Sequence, residues 1–178
     1  MADPRVWLIG ETNPYQEDPA RSQRYALYFE PPESAGGRLC RLILGMDERD
    51  YLRSFARRNL LAGKWSAPLA RASAACLTWE LHPGDVVLLF GRKVFEAFFP
   101  ELDWSAFMPL FGDGVRQGGA LFIPLPHPSG LNRVWNTYGS YSQVRKVVRE
   151  AAPHLASLLG RHPDTRGRIA AERETSHG

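Results

Sequence analysis

The tightest constraint on this chain is a run of five apolar residues, Val86-Val87-Leu88-Leu89-Phe90, bounded by Asp85 and Gly91. A strand with no polar alternation must be covered on both faces, which is the condition of a central strand in a parallel α/β sheet. Arg5-Val6-Trp7-Leu8-Ile9-Gly10 has the same character, and Gly119-Ala120-Leu121-Phe122-Ile123-Pro124 is a third, shorter run stopped by a proline. Helical patterns lie between and after these runs. Helices are expected from Arg38 to Leu44, from Asp47 to Asn59 with Asp47 as N-cap, from Trp65 to Leu77, from Arg92 to Phe98, and from Ser140 to about Leu159.

At 178 residues, 44% of them hydrophobic, the chain has the size and apolar content of one globular domain. Residues 1–160 carry the apolar pattern and are expected to form it; residues 161–178 are polar, lack a period and are expected to be a flexible tail. The two cysteines, Cys40 and Cys76, are too few for a disulfide framework and are expected to be buried, reduced thiols. No run approaches the ~18 apolar residues of a membrane span, and Met1-Ala2-Asp3-Pro4-Arg5 has no signal-peptide pattern, so a cytoplasmic protein is expected. A net charge of +3 permits a polyanionic partner without requiring one. No His, Cys or Asp grouping has metal-ligand spacing, and no nucleotide-hydrolase phosphate loop occurs, so neither metal nor cofactor is expected.

Open α/β sheets place their chemistry in the loops at the carboxyl ends of strands. The first such loop is Glu11-Thr12-Asn13-Pro14-Tyr15. Glu11 and Asn13 are two residues apart, so an extended backbone points both the same way, beside Tyr15. A plain capping loop is the alternative. The loop after the third strand is Leu125-Pro126-His127-Pro128-Ser129-Gly130-Leu131-Asn132. Two prolines leave His127 few backbone options, Ser129 and Gly130 supply a hydroxyl and N–H groups suited to a phosphate, and Leu131 projects from an exposed turn. Arg133, Arg145 and Lys146 follow; they are either contacts to a DNA backbone or a solvated basic face.

The second loop resembles, nearly letter for letter, the His-Pro-Ser-x-Leu signature of the uracil-DNA glycosylase superfamily, in which Ser or Asn follows, as Asn132 does here. Aligned on Pro14, the first loop resembles that superfamily's Gly-x-Asp-Pro-Tyr and Gly-x-Asn-Pro-Gly loops. The resemblance implies a three-layer α/β/α fold around a four-stranded, mainly parallel sheet, acting on DNA as a monomer. It implies that Asn13 positions water, Tyr15 walls the pyrimidine C5 edge, and His127 donates to the base. Tyr28 would stack on the extruded base, and Asn59 would read its Watson–Crick edge, with a helix C-cap as the alternative role for Asn59. Ser129, Gly130 and Leu131 would grip the backbone and fill the gap. Glu11 departs from the pattern, standing where the family usually has glycine, with Gly10 one residue earlier. Which of Glu11 and Asn13 faces the water is therefore open. Two cysteines cannot supply the four thiolates of an iron–sulfur cluster, so the branches that carry one are set aside.

Two substrate classes fit the resemblance. A modified pyrimidine of phage DNA would make the protein an antiviral defence enzyme, and the unusual Glu11-Thr12-Asn13 loop favours that reading. Uracil would make it a DNA-repair enzyme. A non-catalytic DNA-binding relative is a third reading, against which the pairing of Asn13 with His127 argues.

Overall fold

The computed structural model describes residues 4–12, 18–107, 114–129, 131–136 and 140–162. They divide into two compact units, Met1–Tyr28 with Phe55–His127, and Phe29–Ser54 with Pro128–Gly178. The helices are α1 Pro19–Arg24, α2 Ala35–Arg38, α3 Glu48–Ser54, α4 Ala67–Glu80, α5 Arg92–Phe98 and α6 Ser140–Ala151. The strands are β1 Val6–Gly10, β2 Phe55–Asn59, β3 Val86–Phe90, β4 Val115–Gln117 and β5 Ala120–Leu125.

The first unit holds the whole sheet, in the order β2-β1-β3-β5-β4. Strands β2, β1, β3 and β5 run parallel, and β4 pairs antiparallel with β5. The protein is thus a mixed α/β fold whose mainly parallel sheet has five strands, one more than expected. The extra strand is three residues folded back across Gly118-Gly119, too short and too polar to register as a period in the sequence. Its brevity also explains how Pro124 sits inside β5. Position 124 faces its missing N–H away from β3, and β4 has already ended at the partner of Ala120–Phe122.

One face of the sheet presents Trp7, Ile9, Val87, Leu89 and Phe122 to Ala70, Ala74 and Leu77 of α4 and to Val94 and Phe95 of α5. The spacing of the α4 residues is that of one helical stripe. The other face, Val6, Leu8, Leu88, Phe90, Ile123 and Leu125, is buried as well, which is why these strands show no polar alternation. Phe95, fully buried, packs its ring within 5.6 Å of those of Phe99, Trp104 and Phe107; cutting it to alanine should cost about 3–5 kcal/mol. At the amino end of β3, Asp85 is buried yet fully used. It accepts from the backbone of Arg5 and His82 and from the Trp7 indole, at 3.0–3.1 Å.

Three boundaries differ from the sequence expectation. The helix beginning after Asp47 stops at Ser54, and Phe55–Asn59 becomes β2. Phe55, Arg57 and Asn59 pair with Val6, Leu8 and Gly10, while the polar side chains that hid the strand are tied down: Arg57 donates to Ala26 O and Arg58 to the Glu80 carboxylate. Helix α4 begins at Ala67, with Pro68 in its first turn, and runs on to Glu80. Helix α6 ends at Ala151 because Pro153 cannot donate to a continuing helix; a 3-10 turn, Pro153–Leu155, follows.

The second unit is helical. Ser34 caps α2 through its hydroxyl, and α2 runs into a π-helical stretch, Leu39–Leu44, closed by left-handed Gly45. Cys40 is buried there, but Cys76, on α4, is exposed, contrary to expectation. Helix α6 buries Tyr141, Val144 and Val148 on one side.

Candidate active site

Four parallel strands bring four loop starts to one edge of the sheet, and every residue of that row belongs to the first unit. Along it stand Asn59 after β2, Gly10 and Glu11 after β1, Gly91 after β3 and His127 after β5.

At the β2–β1 end, Asn59 and Gly10 are uncharged and buried. Asn59 is 1% exposed. Its backbone is clamped by the side-chain amide of Gln23 on α1, which accepts from Asn59 N–H at 3.3 Å and donates to its carbonyl at 3.0 Å. The side-chain Nδ2 of Asn59, by contrast, is buried with no hydrogen-bond partner among the described residues. Such a group costs roughly 1–3 kcal/mol unless something else satisfies it. Gly10 must lack a side chain here, because a Cβ would stand 2.5 Å from Asn59 Oδ1. Leu27, with φ at +45°, packs against the same spot. That is an unfavoured conformation for a branched side chain, held by its surroundings. Beside it, Tyr28 meets Tyr25 edge to face at 5.2 Å, with the Arg57 guanidinium 5.6 Å from its ring centre.

At the β3–β5 end the groups are charged and partly open. Glu11 Oε2 lies 3.2 Å from Lys93 Nζ, Lys93 being the second residue of α5. The Lys93 ammonium also stands 5.6 Å from the centre of the Trp65 ring. Gly91 has φ at +100°, and a Cβ there would be 3.3 Å from Glu11 Oε1, 3.4 Å from His127 Cβ and 3.6 Å from His127 Cδ2. The other Glu11 oxygen and the imidazole therefore border one small space floored by a glycine. Burial holds the His127 pKa below the usual imidazole value; the Glu11 carboxylate pulls it up and the Lys93 ammonium pushes it down. The balance keeps the ring neutral near pH 7.

Of the other residues singled out from sequence, Asn13, Tyr15 and Gly130 lie outside the described residues. Ser129, Leu131, Asn132 and Arg133 belong to the second unit. There Asn132 N–H donates to Ser129 O, and Asn132 Oδ1 accepts from Val134 N–H. Leu131 is 93% exposed, an unusual position for a leucine. Arg145 corrects an expectation. It is 4% exposed, and its Nε and a terminal nitrogen donate to the carbonyls of Ile43 and Leu42 at 2.8 and 2.6 Å. Its guanidinium satisfies the end of the π-helical stretch and is not offered to a phosphate. The neighbouring Lys146 is exposed, within 3.8 Å of Glu150. Lys93 was not foreseen; only the strand order brings it to Glu11, 82 residues away in sequence.

A family model, the uracil DNA glycosylase superfamily, matches residues 2–156. The chain belongs to the uracil DNA glycosylase superfamily. The match spans both loops and all five strands, and the mixed α/β sheet fits a fold of that superfamily. A comparison with individual curated proteins gives no match. Superfamily membership makes the class of chemistry DNA glycosylase hydrolysis and the class of partner DNA. Among the described residues no group of three or more His, Cys, Asp or Glu could hold a metal ion, and no helix is long and apolar enough to cross a membrane.

Proposed function

We propose that this member is an active DNA glycosylase that extrudes a pyrimidine nucleotide and hydrolyses its N-glycosidic bond, leaving an abasic site. The observation that carries the reading is the Nδ2 of Asn59 beside Gly10, buried and without a partner among the described residues. A donor in that setting is matched by an acceptor on a pyrimidine edge, the exocyclic O4 of uracil or the ring N3 of a cytosine derivative. Tyr28 supplies a ring for stacking on the extruded base. Ser129 and Gly130 grip the phosphate, Leu131 fills the vacated place in the duplex, and Asn132, Arg133 and Lys146 add backbone contact.

As the C1′–N1 bond breaks, its electron pair goes to the base and the sugar becomes oxocarbenium-like. Neutral His127 donates to the base oxygen on which that charge collects, at a point where a preorganised donor is worth most. Water adds to C1′. Asn13 holds that water, and Glu11, the group here that can accept a proton, takes the one it releases.

Among pyrimidines, the departure from the family pattern at Glu11 favours a modified base of phage DNA, and with it a role in antiviral defence. Uracil in a repair role is the other reading, with Tyr15 deciding between them by its position against the C5 edge. The test uses matched duplexes holding uracil, 5-hydroxymethylcytosine or its glucosylated form, with wild type and Tyr15→Ala, and abasic sites as the readout. Abasic sites at the substituted bases alone support the modified-base reading. Removal of uracil alone, broadened by Tyr15→Ala, supports repair. No abasic sites on any of them would remove the proposal of an active enzyme.

A further inference from the structure

We propose that Lys93 is a positioning residue for the cleavage step: it anchors one oxygen of Glu11 so that the other stays turned toward the space beside His127. The inference rests on the glycosylase reading above and adds a residue to its machinery. A glutamate on a loop has three free torsions, and an unanchored carboxylate would sample many directions. Here Oε2 is taken by Lys93 at 3.2 Å, while Oε1 stands near Gly91 and the imidazole.

Lys93 is itself held in place. Its ammonium lies on the Trp65 ring side as well as on Glu11. Its neighbour Arg92 does not compete for the carboxylate, since Arg92 Nε is engaged with Glu96 at 2.6 Å. The side chain of Glu11 is 24% exposed and that of Lys93 55%, so the pair sits at the lip of the site. A pair that open contributes little to stability. Its effect is on geometry and on charge: among the described residues, Glu11 from the end of β1 and Lys93 from α5 act on the charge of His127.

The test compares Lys93→Gln, Lys93→Arg, Glu11→Gln and the double variant Glu11→Gln/Lys93→Gln in the full chain. Three quantities are measured: the single-turnover excision rate at saturating protein, DNA affinity as a function of salt, and the titration of His127 by imidazole NMR. Lys93→Gln should lower the saturated rate by about 10–100-fold, part of what a positioned general base supplies. Its affinity and salt slope should stay as in wild type, and Lys93→Arg should recover most of the rate. The double variant should be no slower than Glu11→Gln, because Lys93 acts through Glu11. The His127 midpoint should rise in Lys93→Gln.

An unchanged saturated rate with weaker binding and a salt slope lowered by about one unit would make Lys93 a phosphate contact and overturn the proposal. Additive losses in the double variant would overturn it too. If wild type excises nothing from any DNA, the glycosylase reading fails by itself. The NMR titration then decides this inference, and a His127 midpoint unmoved by Lys93→Gln ends it.

Discussion

Two buried polar side chains, one in each unit, meet opposite fates. Arg145 in the helical unit donates from Nε and from a terminal nitrogen to main-chain carbonyls of Ile43 and Leu42. Asn59 in the sheet unit is as deeply buried, its backbone clamped by Gln23, yet its side-chain Nδ2 has no partner among the described residues. Burying a polar group is costly in both places. Where the chain supplies the partners, the group holds the fold together. Where the described residues fix the group and supply no partner, the group is a candidate for contact with something that binds. The first residue looked functional in the sequence and is structural; the second could have been a helix cap and is the better candidate for a site.

The strongest way to sharpen that contrast is at His127, a half-buried group whose task is rate. His127→Ala should cut single-turnover excision by about two to three orders of magnitude while leaving DNA affinity and melting temperature near wild type. A loss of affinity as large as the loss of rate would move His127 from the chemistry to the docking.

The direct comparison is next. Asn59→Ala should lower excision of the preferred base by about 10–100-fold, the worth of one buried hydrogen bond, and should narrow the gap between bases. Arg145→Met should do the reverse, lowering unfolding free energy by about 1–3 kcal/mol through the carbonyls it orphans, with excision unchanged where the protein is folded. The contrast breaks if Arg145→Met weakens DNA binding at full stability, or if Asn59→Ala unfolds the protein without touching selectivity.

A milder version uses a glycine. Gly10→Ala puts a Cβ 2.5 Å from Asn59 Oδ1, so either the strand end or the amide must shift. The expected result is a selectivity change in the direction of Asn59→Ala, with about 1–3 kcal/mol of overpacking cost. Retained selectivity would show that the amide need not be held where it is.

How much of this was legible in the sequence follows from how local each cause is. Strands β1, β3 and β5 announced themselves, because a strand buried on both faces is apolar throughout. Strand β2 did not. Phe55-Ala56-Arg57-Arg58-Asn59 continues the helical look of α3, and its strand character depends on β1 alongside and on acceptors at Ala26 and Glu80. Strand β4 is three residues long, below what a period can show. Arg145 was misjudged for the same reason in reverse: the carbonyls that bury it are 102 and 103 residues away. His127 was legible as a candidate because its two prolines restrain it locally, and Glu11 because it broke a familiar loop. Lys93 looked like an ordinary helix start, and nothing short of the β2-β1-β3-β5 order could bring it to Glu11.

The smallest expected effect is a shift in pH dependence, and it tests whether the open end of the row behaves as one charged unit. Burial lowers the His127 pKa, with Glu11 opposing and Lys93 assisting. If the neutral ring is the working form, excision should hold its plateau down through the ordinary imidazole value of 6.5 and fall only below it. Removing the Glu11 charge in Glu11→Gln should slow the reaction overall but move the acid midpoint lower, since the group that favours the charged ring is gone. Lys93→Gln should move the same midpoint higher. The sign for stability agrees: a histidine whose folded pKa is depressed contributes stability that is complete above the unfolded value and is lost as pH falls through the folded one. Denaturant midpoints for wild type and His127→Ala should therefore lie close together above 6.5, and the wild-type midpoint should fall relative to the variant's as the pH is lowered through the folded value. Two substitutions that shift the acid limb the same way would show that the imidazole does not sense this pair, and the half-open end of the row would lose its claim to be a single electrostatic device.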